Sequence, residues 1–378
     1  MFLKDKEDLE KALNIFEFFE HISGLKLNRN KTQAMWLGNE KGNETKPYNL
    51  KWVKQIKILG IHFRSDVTAI EIDDNWKDRL SDTQKTIESW HRRNLSIYGK
   101  ILITKTFLIS PYIYIMQSIG IPDHILTEIN KIIFAFIWKK KYSNKKAFEK
   151  VKRKIMTKDF DKGGLKMIDM KTLQLSLLLS WIPKIVNEDH RPLWKAIPSI
   201  IYNELGGLSI LDNQCSKNSI VGLTIEKDNF WIKILCAWQD LKERENKNNN
   251  DIYLNSGLWN NNNLQYRNKN LHMQDWIKNN INSIKDILDE RGNILNFSTI
   301  EDKVGKKANR ILEYNALKTA IQQLKHQGRL HLIHNEDIAT KKTHFKDKPL
   351  PKLTVSNFRE IINANTTTPC AVGFWKEN

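Results

Sequence analysis

Residues 122–138 carry Ile125, Ile129, Ile132, Ile133, Phe136 and Ile137 at three- and four-residue steps, the repeat of one helical face. Pro122 suits the first turn of such a helix, where its missing N–H costs nothing. The same period returns at 5–22 (Leu9, Ala12, Leu13, Phe16, Phe19) and from Asp73 (Trp76, Leu80, Ile87, Trp90). It also predicts helices at 98–109, 173–186, 230–241, 274–288 and 309–324. Strand-like pieces are short and sit near the beginning, at 25–27, 32–37 and 56–63, the last with Gly60 inside it. A chain patterned this way is expected to be mainly α, with a small α/β N-terminal portion over 1–65.

Punctuation residues set the expected boundaries. Ser23-Gly24 stops the first helix, with Gly24 suited to a left-handed cap. Asp73 or Asp74 can cap the next helix, Pro111 ends the one after it, and Ser298 with Glu301 has the spacing of a capping box. Gly163-Gly164 marks a turn. The stretch 173–186 is the most apolar, but Ser176, Ser180, Pro183 and Lys184 interrupt it well short of the ~20 apolar residues a membrane span needs. It reads as a buried helix that Pro183 ends or kinks. Residues 243–270 are rich in Asn and Lys and read as a linker, with Leu258-Trp259 as an anchor.

Charge narrows the partner. Over 378 residues the formal net charge is +18, and the 40% hydrophobic content excludes a wholly disordered chain. Within 139–158, ten residues are Lys or Arg and one, Glu149, is acidic. Such a segment points to phosphate binding. The N-terminus has no apolar h-region, so no secretory signal is expected. Cys215, Cys236 and Cys370 are widely spaced, which excludes a Cys-rich zinc module and fits a reducing compartment.

The stretch Ser23-Gly24-Leu25-Lys26-Leu27-Asn28-Arg29-Asn30-Lys31-Thr32 resembles motif D of the reverse transcriptases of LINE-type, non-LTR retrotransposons. Ile58-Leu59-Gly60-Ile61-His62-Phe63 looks like motif E of that family, the turn that grips the primer end. The run from Trp90 through Arg92-Arg93-Asn94-Leu95-Ser96 to Gly99-Lys100 is similar to the thumb segment. Phe136-Ile137-Trp138, the following lysines, Gly163-Gly164-Leu165 and Asp169 resemble the segment past the thumb. Phe230-Trp231, Trp238, Leu258-Trp259 and Phe297-Ser298 resemble the C-terminal region more loosely. The matches fall in the family's order and cover nearly the whole chain, most strongly 6–170.

The resemblance implies an RNA-directed DNA polymerase fragment with a palm remnant at 1–70, a helical thumb at 71–138 and a basic, mostly helical C-terminal region at 139–378. It implies RNA and DNA, as template and primer, as partners, with no membrane, and a location in the nucleus or cytoplasm. Catalysis in that family uses aspartates of a Tyr-x-Asp-Asp sequence that hold two magnesium ions. Met1-Phe2-Leu3-Lys4-Asp5 looks like the residues that follow that sequence, so no catalytic residue, metal ligand or cofactor is assigned to this chain. The isolated chain is expected to be inactive and to have a poorly covered apolar face around Leu9, Phe16, 32–37 and 56–63.

The expected nucleic-acid contacts are cationic or glycine. Lys26 and Lys31 fall where the family places a basic residue near the incoming triphosphate. Gly60 belongs to the primer turn. Arg92, Arg93, Lys100 and Lys105 are placed to track a duplex backbone. Lys139, Lys140, Lys141, Lys145, Lys146, Lys152, Arg153 and Lys154 form the basic cluster. Asp73-Asp74 reads as helix capping rather than a metal site. Of the tryptophans, Trp76, Trp138, Trp181 and Trp238 read as core, while Trp259 and Trp276 border polar segments where a base could stack, with core packing the default. A stand-alone basic scaffold that binds RNA or DNA, derived from such an element, is the alternative. It would require a self-sufficient core.

Overall fold

The computed structural model describes residues 3–40, 42–65, 69–138, 149–187, 192–223, 229–245, 251–332, 344–345 and 348–364. The described chain is mainly helical. Its helices are α1 (Lys6–Ser23), α2 (Ala69–His91), α3 (Ile97–Ile103), α4 (Ser110–Ile119), α5 (Asp123–Ile137), α6 (Arg153–Met156), α7 (Met170–Leu179), α8 (Trp181–Val186), α9 (Ala196–Asn203), α10 (Lys217–Leu223), α11 (Phe230–Glu245), α12 (Gln274–Lys278), α13 (Phe297–Val304), α14 (Arg310–His326) and α15 (Val355–Ala364). Strands are short and pair two by two. β1 (Gln33–Ala34) runs parallel to β2 (Lys51–Trp52), and β3 (Gln55–Ile58) antiparallel to β4 (Ile61–Arg64). Later, β5 (Ile252–Tyr253) pairs with Leu330–His331, and Gln265–Tyr266 with Lys269–Asn270.

The chain divides into two compact units. The first holds the described residues of Met1–Ser96 and Pro122–Ala147, and the second those of Ile97–Ile121 and Phe148–Asn378. Residues 71–138, expected as one thumb, contribute to both.

In the first unit, α1 forms where its ends say it should. Asp5 Oδ1 accepts the Asp8 N–H at 2.9 Å, Glu7 and Asp8 face the positive end of the helix, and Gly24 closes it at φ 71°. Its apolar stripe is only half used. Ala12 and Leu13 are buried, but Phe16 and Phe19 of the expected stripe are exposed. Neither 25–27 nor most of 32–37 is strand. The 56–63 piece is not one strand but the β3–β4 hairpin, with Leu59 and Gly60 as its two-residue turn.

Helix α2 starts at Ala69, so Asp73 and Asp74 lie inside it and do not cap it. Trp76 is fully buried. Helix α5 packs on α2, and the His91 ring meets Phe136 edge-on at 5.5 Å between centroids.

In the second unit, the helix expected to stop at Pro111 continues. α3 passes through a π-helical turn, Thr104–Ile109, into α4, whose first turn holds Pro111, so the bond the proline cannot donate falls in the π-helical stretch. Gly120, at φ 71°, ends α4 instead. The stretch 173–186 breaks at Ser180 rather than at Pro183. A proline forfeits its bond to the carbonyl four residues earlier, here Leu179, the last residue of α7.

Two buried clusters fill this unit. One packs Ile182, Tyr202, Leu235, Trp238 and Phe358, with α7 lying against α4, α11 and α15. The other packs Trp259, Trp276, Ile284, Leu317 and Ile321.

That second cluster corrects the linker reading of 243–270. Residues 243–245 end α11, 246–250 lie outside the described residues, and 251–270 are folded. Ile252, Leu258, Trp259 and Leu264 are buried. The asparagines replace missing backbone partners rather than solvating a loop. Asn260 Nδ2 donates to the Leu205 carbonyl at 3.1 Å and Asn261 Nδ2 to the Gly257 carbonyl at 2.9 Å. Trp259 and Trp276 are fully buried and offer no stacking face. Their indole N–H groups donate to the Ile281 carbonyl at 2.7 Å and to Glu313 at 2.8 Å.

Two smaller expectations also fail. The 274–288 helix stops after Lys278, where Asn280 turns left-handed at φ 60°. The capping box is Ser283 with Asp286, opening a short turn at Ile284–Ile287, whereas α13 is preceded by Asn296 without a side-chain cap.

Candidate nucleic-acid interface

The loop after α1 is built from its own polar side chains. Ser23 Oγ donates to the Phe19 carbonyl at 2.6 Å and accepts the Leu25 N–H at 3.2 Å. Glu20 accepts the Leu27 N–H. Asn28 accepts the Lys31 N–H on its side chain at 3.1 Å and the Thr32 hydroxyl on its carbonyl at 2.9 Å. Arg29 pairs with Glu17 at 2.8 Å. Ser23, Gly24, Asn28 and Thr32 are therefore consumed by the turn, while Lys26 and Lys31 project from it as exposed cations.

The β3–β4 turn has left-handed backbone at both central residues, Leu59 at φ 49° and Gly60 at φ 81°. That is the twist-matched hairpin turn, and it explains the glycine. A Cβ on Gly60 would find nothing nearer than Arg79 Nη2 at 3.8 Å, so crowding is not the reason. The Arg79 guanidinium donates to the Gly60 carbonyl at 3.3 Å. Asp74 is held by Arg64 and, at 3.0 Å, by Lys77. The Lys77 hydrogen bond, with the Arg64 charge, keeps its carboxyl below the usual range. Among the described residues no group of three or more His, Cys, Asp or Glu is placed to hold a metal ion.

The expected thumb cations are divided between the two units. Arg92 and Arg93 are exposed in the first unit, with the Arg93 guanidinium 4.4 Å from the centre of the Trp90 ring. Lys100 and Lys105 belong to the second unit. Lys100 is only 5% exposed, so it is not presented to a duplex. Its place on α3, between Gly99 and Ile101, is on the packed side of that helix. Lys105, on the π-helical turn, is half-buried, and its pKa is lowered by burial and by the charges of Arg359 and Lys166. Sequence reading missed Arg359 and Lys166. They lie far along the chain, and only the folded helix α15 and the 158–166 turn bring them to Lys105.

No family model matches the chain.

Of the basic cluster, Lys139, Lys140, Lys141, Lys145 and Lys146 lie outside the described residues. Lys152, Arg153 and Lys154 are exposed around α6, and Arg153 is already paired with Glu149, Nε to Oε1 at 2.8 Å. Among the described residues no helix is long and apolar enough to cross a membrane.

Proposed function

We propose that this chain is part of a LINE-type retrotransposon RNA-directed DNA polymerase, the end of the palm, the thumb and the C-terminal region, and that it binds template–primer nucleic acid. The observation that carries the reading is the loop after α1. Its capping and turn residues are used internally and Arg29 pairs with Glu17, so the cations this loop presents outward are Lys26 and Lys31. Cations fixed on a rigid turn are suited to phosphate oxygens.

A second observation supports it. The first unit exposes Ile15, Phe18, Phe19, Ile22 and Leu25 along and just beyond α1, with Leu59 at the hairpin tip. Apolar surface of that kind calls for a cover, and the rest of a palm would supply one. The chain on its own binds without polymerising, since two-metal phosphoryl transfer needs clustered carboxylates.

The test pairs affinity with activity. Lys26→Glu with Lys31→Glu is expected to weaken binding of an RNA–DNA template–primer by about tenfold or more, and Mg²⁺-dependent primer extension is expected to be absent from the wild-type chain. Binding unchanged by the double variant would remove the carrying observation.

A stand-alone nucleic-acid-binding scaffold is the second reading. The two buried clusters of the second unit favour it, because they supply the self-sufficient core it requires. A cooperative unfolding transition of the purified chain supports this reading, and collapse into aggregates supports the fragment.

A further inference from the structure

In the second unit, the turn that follows α6 is tightly constrained. Gly163 is left-handed at φ 72°, and a Cβ on Gly164 would lie 2.0 Å from the Lys158 carbonyl oxygen, which no side chain can occupy. The Gly164 N–H donates to the Asp159 carbonyl at 2.8 Å, the Lys166 N–H to the Lys158 carbonyl at 2.8 Å, and the Leu165 N–H to the Met156 carbonyl at 3.1 Å.

This frame holds Phe160 out of the core, 55% exposed, beside Tyr98 of α3, which is 59% exposed. Their ring centres are 6.3 Å apart at an interplanar angle of 38°. Lys166 Nζ stands 5.5 Å from the centre of the Phe160 ring and 3.7 Å from Asp159 Oδ1. Lys105 and Arg359 complete the set, since the charges of both Arg359 and Lys166 reach the half-buried Lys105 ammonium. Among the described residues neither Lys105 nor Arg359 has a carboxylate oxygen within 4.0 Å.

Two exposed aromatic rings need a reason to stay in water, and three cations gathered with one carboxylate, Asp159, leave room for an anion. One ligand chemistry answers both. A nucleotide in a single strand offers a flat π-face and a phosphate at fixed separation. A duplex hides its base faces, and a membrane surface or an acidic peptide has no flat face for the rings.

We propose that Tyr98, Phe160, Lys105, Lys166 and Arg359 form a binding site for single-stranded nucleic acid, with one base stacked on the exposed rings and its flanking phosphate held by the three cations. The site rests on the nucleic-acid-binding reading above and deepens it: Lys105, there an expected duplex contact, here serves a single strand together with Phe160, Lys166 and Arg359. Asp159 neutralises part of Lys166, so Lys105 and Arg359 are the principal phosphate partners.

The experiment measures the affinity of the full chain for a labelled single-stranded RNA 12-mer by fluorescence anisotropy. Phe160→Ser is expected to weaken binding roughly tenfold, about the weight of one stacked base, while Phe160→Trp holds or strengthens it. Lys105→Gln with Arg359→Gln is expected to reduce the slope of log affinity against log salt by roughly 0.7 per lost phosphate contact. Heparin, which has sulfates but no bases, should compete with wild type yet bind Phe160→Ser as well as wild type. Melting temperatures confirm that each variant is folded, and Phe160→Trp keeps the stacking claim testable if Phe160→Ser is not. Wild-type RNA binding that neither the aromatic nor the cationic variants change would overturn this site alone. Failure of the wild-type chain to bind any RNA or RNA–DNA hybrid would overturn the broader reading as well.

Discussion

Asn75 grips the backbone of His62 from both sides, its Oδ1 accepting the His62 N–H at 2.7 Å and its Nδ2 donating to the His62 carbonyl at 3.0 Å. The amide of one buried side chain thus joins helix α2 to strand β4 of the hairpin. Asn75→Ala leaves a backbone donor and acceptor with no replacement partner. It is expected to cost about 2 kcal/mol in urea unfolding, within the range for stranded buried polar groups. A change under a few tenths would mean water takes over the amide's role.

At the hairpin tip the backbone, not space, selects the residue. Gly60→Val is expected to destabilise the protein by about 1–2 kcal/mol, the strain of a β-branched residue held left-handed. Gly60→Asn should cost far less, because asparagine tolerates that region. Equal losses for both, measured by chemical denaturation, would point to crowding at Arg79 instead.

In the second unit Arg310 is nearly buried, with Glu313 at 2.6 Å and Asp275 at 3.4 Å. Arg310→Ala leaves Glu313 without its cation while Asp275 keeps Lys307, and a loss of about 1–3 kcal/mol is expected. Asp275 contributes to the pH dependence. Its hydrogen bond to Lys307, with help from Arg310, lowers its pKa in the folded chain. A lowered carboxyl pKa stabilises the fold above the unfolded value and loses that contribution as pH falls through the folded value. Acid unfolding should therefore begin below about pH 4, and Asp275→Asn should make it less steep. An acid transition unaltered by Asp275→Asn would place the sensitivity elsewhere.

Two thiols should be silent. Burial pushes Cys215 up to about 12 and Cys236 up to about 11. At pH 8 both are held as unreactive thiols, since only the thiolate attacks. Peptide mass mapping after iodoacetamide treatment should find both unmodified in the native protein and both modified in guanidinium. Fast native labelling of either would show that the packing around it opens.

What the sequence reveals is the helical period and the strong caps. Helix α1 with Asp5 and Gly24, and α14 through Leu317 and Leu324, follow from spacing and local hydrogen bonding alone. Proline was misleading because its effect depends on position. Pro111 starts α4, and Pro183 acts one turn upstream of itself. The 251–270 segment was opaque for a different reason. Its order comes from asparagine amides reaching Leu205 and Gly257 carbonyls, and no local pattern reports such partners. Among the candidate site residues, the exposed positions of Lys26 and Lys31 follow from the turn chemistry around them. The burial of Lys100 and the meeting of Lys105 with Arg359 depend on packing between segments far apart in the chain.

The central claim is that this chain engages the phosphate backbone of template–primer nucleic acid. Its most direct test is the dissociation constant of the full chain for a labelled RNA–DNA hybrid between about 50 and 200 mM KCl. Neutralising four or more phosphates predicts a loss of roughly a hundredfold in affinity across that range. Binding that ignores salt, or no binding at the lowest salt, would contradict the account.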